Sequence, residues 1–177
     1  DLEALEILRD FEVGKDQLNE RSAMTLLALL QLKDGDSWEQ ATNPMLGTRA
    51  IMDWIRDQFG VDYKPNTRET IRRFTLHQFV MAEIVEENAD QPDRPINSPK
   101  WNYRVTNAAL EVFRNQGRST FESELKQFLS EHASYASLAE ERRNMPKTPV
   151  VMPSGTTLEL SPSGQSTLIK AMIEEML

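Results

Sequence analysis

Cysteine is absent from the 177-residue chain. That excludes disulfides, thiolate zinc sites and cysteine nucleophiles together. Histidine occurs only at His77 and His132, far apart in sequence, so a zinc site has no persuasive donor set. Long apolar runs are missing too. The longest, Leu26-Leu27-Ala28-Leu29-Leu30, falls far short of the roughly 20 residues that cross a bilayer, so no membrane partner is expected. Asp1-Leu2-Glu3 has neither the basic start nor the apolar stretch of a signal peptide, and the missing initiator methionine reads as a trimmed N-terminus. Glycine is scarce, and neither a G-x-S-x-G elbow nor a phosphate-cradling loop occurs. Positive charge is also in deficit, with 20 Lys and Arg against 28 Asp and Glu, a net charge of −8. Any nucleic-acid contact is therefore confined to one face, where the local field within a Debye length of about 8 Å decides.

Against that acidic background stands Pro65-Asn66-Thr67-Arg68-Glu69-Thr70-Ile71-Arg72-Arg73. It reads as a helix start, with Asn66 as cap and Glu69 three residues on, as a capping box requires. The bases cluster by segment. Residues 63–79 hold Lys64, Arg68, Arg72 and Arg73 against Glu69, and residues 94–104 hold Arg94, Lys100 and Arg104 without an acid. Between them Glu83, Glu86, Glu87, Asp90 and Asp93 stand without a base, and are expected to face away.

The surrounding pattern gives this helix a context. A lead-in helix over 1–13 ends at Gly14. A second, capped by Asn19, runs to about Leu32, and a third opens at Thr48 and closes on Gly60. A turn over 61–66 leads to the basic helix, which runs to about 81, with Ile71 and Phe74 lying together and Leu76 and Val80 pointing elsewhere. Ile84-Val85 and the alternating Trp101 to Val105 read as strands flanking a loop over 88–99, and Thr106 caps a further helix. Helix, turn, helix, strand, loop, strand and helix is a winged helix-turn-helix order.

The chain divides accordingly into residues 1–118, a winged helix-turn-helix domain, and 119–147, a linker helix with a charged connector. The linker helix starts at a capping box of Ser119 and Glu122 and runs to about Tyr135. Residues 148–177 then form a hairpin and a helix that stops uncapped at Met176-Leu177, the truncated start of another domain. The fold class is mainly α.

On this outline Arg68 and Arg73 are the best base readers, because a guanidinium can bind guanine through two hydrogen bonds. Thr67 and Thr70 can bond phosphate or touch a thymine methyl group, and Asn66 can cap the helix or contact adenine. Lys64, Arg72, Lys100 and Arg104 suit phosphates, with Asn97 and Ser98 beside them in the wing. The competing reading of Arg68, Arg72 and Arg73 is an ordinary solvated helix face. A metal-nuclease spelling, Pro92-Asp93 with Glu124-Leu125-Lys126, is set aside because one part lies in a proline-rich loop and the other on a helix.

Four strings carry a family resemblance: Leu18 to Ala23, Pro65 to Arg73, Thr75 to Phe79 and Arg94 to Lys100. With these the chain resembles the BsuBI/PstI family of type II restriction endonucleases from about Leu18 onward. The resemblance implies an N-terminal helix-turn-helix domain and a C-terminal nuclease domain of the PD-(D/E)xK kind. It further implies Mg²⁺-dependent cleavage of double-stranded DNA at CTGCAG, a bacterial cytoplasmic location and a homodimer on the palindrome. Residues 160–175 are similar to the entrance of that nuclease domain, so these 177 residues are expected to bind DNA without a metal, a cofactor or catalytic residues of their own. Phe74 departs from the family pattern, where a polar residue is usual. A winged-helix transcription regulator and a protein-interaction domain are the alternatives.

Overall fold

The computed structural model describes residues 2–144, 148–151 and 157–160. It separates into two units, Asp1–Ala133 and Ser134–Leu177. The first holds helices α1 (Leu2–Asp10), α2 (Glu20–Leu30) and α3 (Thr48–Phe59), a continuous helix α4 over residues 67–81, strands β1 (Val85–Glu87) and β2 (Tyr103–Val105), and α5 (Asn107–Arg114). It also contains the start of α6 (Phe121–Asn144), whose later residues belong to the second unit. In the second unit β3 (Thr148–Val151) pairs antiparallel with β4 (Thr157–Leu160), the expected hairpin. The helix expected near the C-terminus lies outside the described residues. No described helix is long and apolar enough to cross a membrane.

α2 is the centre of the first unit. Every residue from Ser22 to Leu30 is buried, as a helix covered on all sides requires. It packs on α1, α3, the middle of α4 and β2. The Asn19 side chain accepts the Ser22 N–H at 3.0 Å, and Gln31 ends the helix in the left-handed conformation. An aromatic cluster closes one side: Phe11, just past α1, stacks on Phe113 of α5 with centroids 4.8 Å apart and meets Phe128 of α6 edge-on at 5.2 Å. The first part of α6 thus belongs to this core, and the helix continues past Tyr135 to Asn144. The expected capping box of Ser119 and Glu122 does not form, because the helix begins only at Phe121, two residues past Ser119.

Gly60 closes α3 at φ +70°, a conformation an L side chain adopts only under strain. The chain then reaches α4 by two tight turns. Thr67 N–H donates to the Lys64 carbonyl (2.9 Å) and Arg68 N–H to that of Pro65 (3.2 Å). Asn66 is already helical and its side chain makes no cap, so the expected Asn66–Glu69 box is replaced by these backbone turns.

α4 is not a plain α-helix. Its ends, Thr67–Thr70 and His77–Met81, are α-helical, but Ile71–Leu76 is π-helical, and His77 N–H donates to the Arg72 carbonyl five positions back. A π-turn advances roughly 80° per residue instead of about 100°. Counted from Ile71, this carries Phe74 away from the core and swings Leu76 toward it. Ile71, Thr75, Leu76 and Phe79 are buried, while Phe74 is 55% exposed. The expected pairing of Ile71 with Phe74 is thereby corrected, and Leu76, expected to point elsewhere, joins Ile71 in the core.

β1 and β2 pair antiparallel, Val85 opposite Val105, Glu86 opposite Arg104 and Glu87 opposite Tyr103. A third rung comes from the segment before α3: Leu46 and Tyr103 exchange both backbone hydrogen bonds at 2.9 Å. Thr106 caps α5 by accepting the Ala109 N–H at 3.3 Å.

Candidate nucleic-acid interface

The outward face of α4 presents Arg68, Glu69, Arg72, Arg73, Phe74 and His77, all exposed, with Thr67 and Thr70 half-buried beside them. Lys64 and Asn66 are exposed at its entry. Glu69 lies 3.8 Å from both Arg72 and Arg73, and these contacts are open to water. Ion pairs of that kind contribute about 0–1 kcal/mol, so both guanidinium groups can exchange Glu69 for another anion. Arg68 lines a second groove with Arg49 at the start of α3. Nothing local in the sequence marks Arg49; only folding brings it to the groove that Arg68 lines, which Asp53 and Asp62 also line.

The loop over 88–102 is built around two buried side chains, Asn88 and Arg94. Arg94 is 8% exposed. Its Nη1 donates to Asn88 Oδ1 (3.0 Å), Asp90 Oδ1 (3.0 Å) and the Lys100 carbonyl (2.9 Å), and its Nη2 meets Asp90 Oδ2 at 2.6 Å. Asn102 adds a bond to Asp90 Oδ1 at 3.0 Å. The Arg94 guanidinium and then the Asn102 amide hold the Asp90 carboxyl well below the usual carboxylate range. Arg94 therefore shapes the loop and leaves the count of free bases. Arg104 is tied to Glu86 across the strands. Lys100 and Asn97 stay exposed, and the half-buried Ser98 accepts the Lys100 N–H at 3.2 Å.

The acids of residues 80–93 do not simply face away. Glu86 and Asp90 pair with the strand and loop arginines, and Glu83 lies 3.0 Å from His132 Nε2. Glu87 lines a groove of about 520 Å³ between α4 and the loop, with Arg72, Arg73, Phe74 and His77 on one side and Ile96 and Trp101 on the other. Tyr103 lines the same groove. Burial first, then the Glu87 carboxylate, pushes its phenol up to about 12, so it stays neutral at physiological pH. His77 is exposed at the rim, while His132 stacks on Phe128 with centroids 4.1 Å apart. Asp93 is exposed in the loop and Glu124 sits on α6, so the nuclease spelling is not assembled. Among the described residues no group of three or more His, Asp or Glu side chains is placed to hold a metal ion.

Two helices joined by a short connection with two turns, the second helix presenting a basic outward face, followed by a strand pair, match a helix-turn-helix outline. Residues 2–137 match the BsuBI/PstI restriction endonuclease HTH domain. The chain belongs to the BsuBI/PstI restriction endonuclease family. It is 38% identical over 173 residues to the type II restriction enzyme BsuBI of Bacillus subtilis, covering 98% of this chain and 55% of that protein. With the type II restriction enzyme AplI of Arthrospira platensis it shares 29% over 174 residues, covering 98% and 53%. The solved structure of the SdaI restriction endonuclease superposes with a TM-score of 0.71 at 36% identity, over 97% of this chain and 54% of that one. The chain thus spans about half the length of the relatives it matches.

Proposed function

We propose that this chain is the sequence-reading part of a type II restriction endonuclease, binding double-stranded DNA at CTGCAG through a winged helix-turn-helix. The observation that carries the reading is the outward basic face of α4, set on a helix-turn-helix of a restriction endonuclease family. α4 enters the major groove, where Arg68 and Arg73 read bases and Asn66, Thr67 and Thr70 work at the helix start. Lys64, Arg72 and Arg49 bind phosphates flanking it. The wing adds Asn97, Ser98 and Lys100, with Arg104 the weakest candidate because Glu86 holds it.

Residues 1–118 form the binding domain in this reading, 119–147 the connector, and 148–177 the approach to the nuclease domain. The chain matches 55% of its Bacillus subtilis relative. Mg²⁺ and the cutting residues are therefore assigned to the part of a full-length enzyme that this chain does not span, acting as a homodimer in the bacterial cytoplasm. A fluorescence-anisotropy titration tests this. The 177-residue chain should bind a CTGCAG duplex more tightly than a shuffled one, lose affinity steeply with salt, and leave both uncut when Mg²⁺ is added. No binding to either duplex at low salt, or cleavage by the chain alone, would overturn the proposal.

A further inference from the structure

The groove between α4 and the loop carries more apolar surface than phosphate binding needs. Phe74 is 55% and Ile96 77% exposed, and they line the groove from opposite sides. An exposed phenylalanine forgoes burial that its neighbour Ile71, wholly buried on the same helix, obtains. The π-helical stretch is what turns it outward, and such stretches occur often at functional positions.

The surroundings restrict what this pair can meet. Arg72 and Arg73 stand at the same groove against the single acid Glu87, which leaves a basic excess that suits a polyanion. Two side chains make too small an apolar patch for a stable protein interface. On a DNA major-groove edge only thymine offers an apolar group, its 5-methyl; the other positions are donors and acceptors that an apolar side chain would leave unpaired.

We propose that Phe74 and Ile96 form an apolar contact for the thymine 5-methyl group, which makes Phe74 a specificity-determining residue. This rests on the DNA-binding reading above. The contact complements Arg68 and Arg73: the guanidinium groups select guanine by hydrogen bonds, and the phenyl ring selects thymine over cytosine by shape and the absence of polarity.

The test compares two CTGCAG duplexes by anisotropy, one natural and one with every thymine replaced by deoxyuridine, which removes only the methyl groups. The wild-type chain should bind the deoxyuridine duplex about fourfold more weakly for each methyl contacted. Phe74→Ala should bind the natural duplex more weakly and lose the discrimination, with its melting temperature unchanged because the ring is exposed. Phe74→Leu should keep part of the discrimination, and Ile96→Ala should reduce it. Equal wild-type affinity for the two duplexes, with CTGCAG still preferred over a shuffled sequence, overturns the methyl contact alone. So does a preference that survives Phe74→Ala. Failure to bind any duplex overturns the DNA reading and this contact with it.

Discussion

Arg94 shows how a residue's type can mislead about its task. By sequence it is one of three bases in residues 94–104, a segment without acids; in the fold its guanidinium is buried among Asn88, Asp90 and the Lys100 carbonyl. Sequence spacing could not reveal this, because the partners converge only when the loop closes on itself. The carboxyl of Asp90 is held below its ordinary value of 3.8, so its ionised form favours the folded loop. That contribution is fully present above pH 3.8 and is lost as pH falls through and below the carboxylate range. Amide hydrogen exchange across 88–102 should therefore show protection that persists at neutral pH and fades in strong acid. Arg94→Ala should loosen the loop at every pH and cost about 1–3 kcal/mol, by leaving buried acceptors unpaired. Unchanged exchange in the variant would contradict the stapling role.

Elements were legible where a local signal and the tertiary fold agree. Asn19, Gly60 and Thr106 are cap residues by type, and each caps as its type suggests. Asn66 has the same credentials, with Glu69 at the right spacing, yet the turns through Lys64 and Pro65 deliver the chain in a conformation that bypasses the cap. The two asparagines should therefore differ under mutation. Asn19→Ala should cost about 1 kcal/mol in urea unfolding, and Asn66→Ala should stay within about 0.5 kcal/mol of wild type. Equal losses would place a cap at Asn66 after all. Within α4 the hidden variable was helix type. A 3.6-residue period puts Phe74 beside Ile71, whereas the π-turn exposes Phe74 and buries Leu76. No residue between Ile71 and Leu76 marks that change; it emerges from packing against α2.

At the scale of the molecule, the proposed function has a chain of net charge −8 meet a polyanion through one face. The helix order and the basic α4 were readable from composition and periodicity, and the family from four strings of residues. The third rung at Leu46 and the placing of Arg49 and Arg68 on one groove were not, because both join distant segments. The acidity means that long-range attraction is weak and binding depends on short-range contacts along α4. Salt should then weaken binding steeply, since each phosphate contact releases bound counterions.

The measurement that tests this most directly is the affinity of wild type, Arg68→Ala and Arg73→Ala for a CTGCAG and a shuffled duplex at one fixed salt concentration. Each substitution should cost about 1–3 kcal/mol on CTGCAG and much less on the shuffled duplex, so that the preference collapses. An equal loss on both duplexes, or no loss on either, would contradict a sequence-reading face on α4.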